Sequence, residues 1–397
     1  MKYSTGRDYN QYMQEFIERF SMENEYIAYG AGNVFYAVRE MFGDKLKIKY
    51  CVDMECEKEV EGLKVYSPDF LKYHNEKLKI IITTNGGYAD EIAGKLESMG
   101  YDRTEYCHAQ ELVSIWSWFY QHKINTLFCA VIVGFACNLN CKGCSEYVGY
   151  HKSKEMLDFE TVKRTIDNYF RIVDYVIQVN VLGGETFISR DVGKICRYIE
   201  ETYGERFRKM VIHTNGIVVP KEDVLIDLQA CEKLHIWISD YSGQINQRQK
   251  ESISMFQEKM KLYHIKHNDF STFNQKETAE QWFDLGNPLI KKNENIDILR
   301  ERFSKCAGLC FSVYKNKYYY CVMELSAVET KLYRDIKEQD YIDLVKIQKL
   351  SKEEIADKFL HFQLGFFEDG YLSFCDNCNG LGVGVNNQYI EAGIQSK

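Results

Sequence analysis

Proline is nearly absent from this chain, with three residues in 397. No Ser/Gly-rich tract compensates for it, so extended linkers are excluded and the domains should be joined by short, ordered connections. Runs of Lys and Arg are missing too. Fifty basic side chains stand against 58 acidic ones, a net charge of −8, which leaves no phosphate-tracking face and makes nucleic acid an unexpected partner. No apolar run is long enough for a bilayer, the longest lying around residues 127 to 137. The start, Met1-Lys2-Tyr3-Ser4-Thr5-Gly6-Arg7-Asp8, lacks the apolar core of a signal peptide. A cytoplasmic protein with no membrane partner is the expectation. Internal repeats and low-complexity segments are also lacking, and the length predicts two or three domains.

Cysteine, by contrast, is abundant: 14 residues. In a long chain of this character they read as thiols in a reducing compartment rather than as a disulfide framework. Three of them crowd into Cys137-Asn138-Leu139-Asn140-Cys141-Lys142-Gly143-Cys144. Asn, Lys and Gly between the thiols make a poor buried strand, and no fourth ligand stands nearby to complete a zinc site. Three thiolates holding three irons of a 4Fe-4S cluster, with one iron left open, fit the spacing better.

The N-terminal third alternates strand and helix patterns. An amphipathic helix over about 8 to 21 carries Tyr12, Phe16, Ile17 and Phe20 at helical spacing. The apolar run Tyr26 to Tyr29 then enters the turn Gly30-Ala31-Gly32-Asn33, and a second strand, Leu46 to Val52, ends at Asp53. That is the distance at which an acidic residue meets a ribose in a dinucleotide fold, but Phe35 stands where the third glycine would be. Further signals are Ser67-Pro68 opening a helix, a strand over Lys79 to Thr83, and a helix over about Ala89 to Met99. Together they describe a doubly wound unit over residues 1 to 112. It resembles the Rossmann-like domains attached to enzymes of nucleotide-sugar and surface-polysaccharide assembly, and a docking domain without a ligand remains the alternative.

From Leu127 a strand delivers the chain to the three-cysteine loop. A helix capped by Asp158 follows, with Phe159, Val162, Ile166 and Phe170 on one face. Three more strands end on polar or glycine residues: Val176 to Leu182 on Gly183-Gly184-Glu185, Lys209 to His213 on Thr214-Asn215-Gly216, and Leu234 to Ser239 on Asp240. Alternating strands and helices with such endings describe a parallel α/β array with its site at the strands' C-terminal ends. After it come a polar helix near Asn246 to Lys261, a strand near Leu262 to His267, and a charged helix from Asn293 to about 304. A second cysteine group closes the chain: Cys306, Cys310, Cys321, then Cys375 and Cys378. A capping box at Ser351 to Glu354 opens a short helix between them.

The C-x3-C-x2-C loop followed by Gly183-Gly184-Glu185 one strand later resembles the radical S-adenosylmethionine (SAM) superfamily. The resemblance implies a fold: an N-terminal Rossmann-like domain, a partial (β/α)6 barrel over 125 to 290, and a small cysteine-rich domain over 291 to 397. It implies that Cys137, Cys141 and Cys144 hold a 4Fe-4S cluster, and that Gly183, Gly184 and Glu185 hold the amino group of SAM. Asn215 and Ser239 become candidates for its ribose or carboxylate, or remain turn residues. One departure is Gly143, where the superfamily often has an aromatic stacking near the adenine; Tyr147 or Phe135 could substitute.

The spacing from Cys306 through Asn316 to Cys321 resembles the auxiliary-cluster domain called SPASM or, in its shorter form, twitch. A second 4Fe-4S cluster on Cys306, Cys321, Cys375 and Cys378 is implied, with Cys310 as rival to Cys306 and zinc as the alternative metal. The expected function is reductive cleavage of SAM to a 5'-deoxyadenosyl radical that takes hydrogen from a sugar, nucleotide-sugar or other small polar metabolite. A flavodoxin or ferredoxin would supply the electron. The alternatives are a peptide-modifying maturase and a non-enzymatic iron-sulfur redox protein.

Overall fold

A computed structural model of the chain describes residues 8 to 396, apart from 75, 77, 85, 242, 269–280, 309, 383, 384 and 387. It divides into two compact units: residues 1–127 with 356–366, and residues 128–355 with 367–397.

The first unit is a sheet in the order β3-β4-β2-β1-β5-β6. Its strands are β1 (Glu25–Tyr29), β2 (Lys47–Val52), β3 (Glu59–Val60), β4 (Leu63–Tyr66), β5 (Lys79–Ile82) and β6 (Tyr106–His108). All neighbours pair in parallel except β3 with β4. The helices are α1 (Tyr9–Arg19), α2 (Asn33–Phe42), α3 (Phe70–Tyr73), α4 (Gly86–Ser98) and α5 (Ala109–Gln121). Ile27, Val52, Ile80 and Ile82 of the sheet close on Ile92, Ala93 and Leu96 of α4 as one apolar core. Burial of such side chains is worth roughly 1.5–3 kcal/mol each, which is what holds the short parallel strands together. Residues 356–366 belong to this unit as well: the Tyr9 and His361 rings lie 4.6 Å apart, and Ser114 donates to Gln363 Oε1 at 3.0 Å.

The second unit is built on a sheet in the order β10-β9-β8-β7-β12-β13-β14. These are β7 (Asn125–Ile132), β8 (Tyr175–Leu182), β9 (Phe207–Thr214), β10 (Leu234–Ile238), β12 (Ser312–Tyr314), β13 (Lys317–Tyr319) and β14 (Tyr341–Asp343). β11 (Gln281–Phe283) and β15 (Tyr389–Glu391) form an antiparallel pair of their own. The helices are α6 (Phe159–Phe170), α7 (Val192–Tyr203), α8 (Glu222–Gln229), α9 (Gln247–Leu262), α10 (Ile296–Lys305), α11 (Val322–Glu329) and α12 (Lys352–Gln363), the last crossing into the first unit. No helix among the described residues is long and apolar enough to cross a membrane.

The local signals explain where elements begin. Asp158 accepts from Thr161 N–H at 2.7 Å and starts α6, and Ser351 and Glu354 form the reciprocal box that starts α12. The strand expected near Leu262 to His267 is corrected: Leu262 is the last residue of α9, and His267 makes only an isolated bridge to Ile236. Ile253, Phe256 and Met260 are buried at helical spacing, so the apolar stripe carries the helix through Leu262. β12 was hidden by the cysteines around it, yet it pairs in parallel with β7 through Ser312 and Val313.

Candidate functional site

The site assembles where β7, β8, β9 and β10 end. Gly134, at φ +148°, follows β7, and a side chain there would collide with the carbonyl oxygen of Glu155 and with Met156. Phe135 and Ala136 continue as buried backbone into the cysteine loop. The turn after β8 lies directly on this segment. Gly184 N–H donates to Gly134 O at 3.1 Å and Glu185 N–H to Ala136 O at 2.8 Å. A Cβ on Gly184 would sit 2.7 Å from Phe135 O and 2.6 Å from Ala136 O, and one on Gly183 would sit 2.6 Å from Gly134 O. These glycines are therefore required by the close approach of two strand ends, independently of any ligand.

Glu185 is 1% exposed. Its carboxylate accepts from Phe187 N–H (3.0 Å), Thr214 Oγ1 (2.7 Å) and Asn215 N–H (2.9 Å). Burial pushes its pKa up, and the three hydrogen bonds oppose that rise. A carboxylate offers about four acceptor positions, so about one is left. Asn215 spans the gap to the loop, its Nδ2 donating to Asn138 Oδ1 at 2.8 Å while its Oδ1 accepts from Ile217 N–H. Ser239 joins through its backbone, N–H to Thr214 O at 2.9 Å. Glu185, Asn215 and Ser239 thus belong to one bonded set at neighbouring strand ends, and Asn138 is a member that the sequence did not single out.

The cysteine loop is laid out by amide donors. Leu139 N–H lies 3.4 Å from Cys137 Sγ, and the Glu146 and Val148 amides donate to Cys144. Gln395 Nε2 lies 3.1 Å from Cys141 Sγ. Such bonds to sulfur are what tune and orient metal thiolates. Burial pushes all three thiols up, Cys144 to about 12, so metal binding must displace a proton from each. The loop's outer edge is strapped by the C-terminal segment: Lys142 N–H donates to Ile394 O (2.7 Å), Asn140 N–H to Gln395 Oε1 (2.7 Å) and Ser396 N–H to Asn140 O (2.6 Å). Gly143 stands at φ +65°, and its missing Cβ would fall on Ile390 Cδ1 and 2.9 Å from Phe283 O. The space an aromatic would fill at this position is taken by β11 and β15.

Beside the loop, Glu146 is 5% exposed and its Oε2 has no hydrogen-bond partner among the described residues. Burial and the neighbouring Glu185 raise it to about 8. Two buried carboxyl groups, one with an orphaned oxygen, suit a ligand that brings donors or positive charge, as the ammonium and sulfonium of SAM do. Three free thiols with amide donors suit an iron-sulfur cluster with an open iron.

The second cysteine group is also drawn together. Cys375 lies within electrostatic reach of Cys306, Cys321 and Cys378, and Cys321 and Cys378 each sense Cys306. Cys310 is apart from them, near Cys129 and Glu146. Gly308 and Leu381 amides donate to Cys306 Sγ at 3.4 Å, and Gly380 N–H to Cys378 Sγ at 3.3 Å. Arg302 holds the carbonyls of Cys375 and Cys378 at 3.1 Å each, and Asn316 takes the left-handed conformation at φ 63°. The Tyr147 hydroxyl lies against the Cys378 thiol. Among the described residues no three Cys, His, Asp or Glu side chains already stand in the geometry of a single-ion site.

In the first unit, Gly30 is forced by the approach of β1 to β5, since a Cβ would sit 2.9 Å from Thr83 O. Asp53 does not stand free at its strand end: Oδ2 accepts from Ala31 N–H at 2.7 Å and Oδ1 from Glu55 N–H at 3.0 Å. A phosphate at the glycine turn would face that carboxylate.

Residues 131–248 match the model of the Radical SAM superfamily. A search among curated protein sequences returns no match. Among solved structures, the chain is similar to native anSMEcpe with bound AdoMet and the Kp18Cys peptide, at 12% identity over 68% of this chain and 92% of that one, TM-score 0.39. It is also similar to BtrN in complex with AdoMet and 2-DOIA, at 17% identity over 66% and 96%, TM-score 0.36. A third is Streptococcus suis SuiB bound to precursor peptide SuiA, at 16% identity over 45% and 46%, TM-score 0.28.

Proposed function

We propose that this chain, a radical SAM enzyme by its domain at residues 131–248, acts on a sugar, nucleotide-sugar or other small polar metabolite. The observation that carries the reading is the hydrogen-bonded apposition of Gly183-Gly184-Glu185 to the backbone that leads into Cys137, Cys141 and Cys144. A reduced 4Fe-4S cluster on those three thiolates, when bound, supplies the electron that breaks a sulfonium bond of SAM and releases the 5'-deoxyadenosyl radical.

The chain's own residues bind and orient. The Gly183 and Gly184 carbonyls and the spare acceptor position of Glu185 receive the SAM ammonium, and Glu146 Oε2 offers a second acceptor. Asn215 fixes the loop against β9 and leaves Ser239 beside it for the ribose. Cys306, Cys321, Cys375 and Cys378 hold an auxiliary 4Fe-4S cluster, with Cys306 favoured over Cys310 by its place among the other three thiols. The small polar substrate is favoured by Gln178, Asn180, Lys209 and His213, half-buried polar side chains on one face of β8 and β9. The first unit is read as a Rossmann-like docking domain, because Asp53 already occupies its glycine turn.

The test is anaerobic reconstitution with iron and sulfide, reduction with dithionite and assay for 5'-deoxyadenosine. Release from wild type and none from Cys137→Ala is expected. Protein with its cluster intact that yields no 5'-deoxyadenosine would overturn the proposal. Deuterium transfer from a labelled metabolite pool into 5'-deoxyadenosine would then narrow the substrate, and transfer from a peptide alone would count against a small-molecule substrate.

A further inference from the structure

The sheet of the second unit has two unlike faces. One carries Ile177, Val179, Val181, Met210, Ile212, Ile236 and Ile238, all buried, and Ile253 of α9 reaches the Ile238 end beside Gly216. On the other face β8 offers Gln178 and Asn180, β9 offers Lys209, Val211 and His213, and β10 offers His235 and Trp237. Register places them side by side: Gln178 opposite Lys209, Asn180 opposite Val211, and Val211 opposite His235. Val176 and Phe207 seal this face below Lys209, both fully buried, and Trp237 is 43% exposed at its open edge.

Hydrogen bonds link part of the set. Gln178 Nε2 donates to Asn180 Oδ1 at 2.8 Å, and His213 Nε2 lies 3.4 Å from the same oxygen. Lys209 has no counterpart: among the described residues no carboxylate pairs with it. Its ammonium is half-buried, and burial lowers its pKa. His213 is held down at about 4 and His235 below its usual value, by burial first and then by Lys209. At neutral pH the face therefore holds one positive charge, two neutral imidazoles and a spare amide N–H of Gln178. A cation drawn out of water without a partner is costly, and an anion on this face would remove that cost.

We propose that this face is an anion subsite, in which Lys209, with Gln178 opposite it and His235 diagonal to it, takes the phosphate or carboxylate of the substrate, while His213 stands nearer the strand ends. Lys209 precedes His213 by four residues, about 13 Å at 3.3 Å per residue. The anionic end thus lies deep in the sheet face while the reacting carbon points to the strand ends, which suits a sugar phosphate and is too long for a simple two- or three-carbon acid. Only that direction rests on the radical SAM reading.

The experiment is calorimetric titration of inorganic phosphate, and in a second arm acetate, into the full chain as isolated. Wild type should bind one of the two, Lys209→Met should weaken that binding about tenfold or more, and Lys209→Arg should stay within about threefold. Tighter phosphate binding assigns a phosphate and tighter acetate binding a carboxylate. Wild type binding neither, or Lys209→Met binding as wild type does, would overturn the proposal. Thermal melting checks each variant's fold, and Lys209→Gln makes the same comparison if the methionine variant does not fold. The titration uses neither SAM nor reductant, so its failure leaves the radical reading standing, and an inactive cluster leaves the anion subsite standing.

Discussion

Asn215 at the end of β9 donates its side-chain amide to Asn138 Oδ1, inside the cysteine loop, across 2.8 Å. Through its backbone amide the same residue holds Glu185. Three segments that would bind the cofactor are thereby fixed to one another through one residue. Asn215→Ala removes the link, and because Asn138 is exposed and its oxygen can turn to water the cost is that of one ordinary hydrogen bond, about 0.5–1.5 kcal/mol. The expected result is weaker SAM binding by about tenfold, read by equilibrium dialysis, together with faster iron loss on desalting. Unchanged dialysis and iron retention would mean that the loop holds its own shape.

Gly143 is confined by its left-handed backbone and by Ile390 and Phe283 at once. Gly143→Ala should destabilise the protein by about 1–3 kcal/mol. Ile390→Ala in the same chain should restore part of that loss, because it clears the side-chain clash and leaves the backbone strain and the close approach to Phe283 O. Urea unfolding of the two variants checks this, and a double variant no more stable than Gly143→Ala would refute it.

The thiol grouping makes a prediction about metal content. Cys375→Ser should lower iron per chain by about half, since two clusters of equal iron count are proposed. Cys310→Ser should leave it unchanged. Iron and zinc analysis of the purified variants decides both the ligand set and the metal, and equal loss in the two variants would restore Cys310 as a ligand.

His213 links stability to pH. Its folded pKa, about 4, lies below the ordinary 6.5 because of burial and Lys209. The unfolded chain therefore binds the extra proton between those values, and stability falls as pH drops from about 6.5 towards 4. One such proton contributes a slope of about 1.4 kcal/mol per pH unit. His213→Gln should flatten that part of the profile, measured by denaturant unfolding at pH 7, 6, 5 and 4.5.

Much of this was legible in the residues themselves. The cysteine loop is local, the glycine turn after β8 is local, and β7 to β10 have apolar runs that end on polar residues within one or two positions of the observed strand ends. What escaped were contacts that no local pattern marks. Ile390 and Gln395 look like ordinary tail residues, yet they fill the space at Gly143 and bond to Cys141. Cys306 and Cys310 are equivalent by spacing and separate only when α10 and the 375–381 segment are in place. The reading of Leu262 to His267 failed because a short apolar run after a polar helix looks the same whether the helix stops or continues.

The strap on the cysteine loop also sets an order of events in synthesis. Gln395 lies 254 residues beyond Cys141, so a ribosome making about 5–20 residues per second needs roughly 13–50 s to supply it after the loop. During that interval the loop has its three thiols but not its outer edge. A cluster delivered early would meet ligands able to rearrange, and one delivered late would meet a loop already clamped. The timing of iron-sulfur loading relative to translation is thus a variable that this chain's topology makes consequential, and pulse-labelled expression with delayed iron supply would measure it.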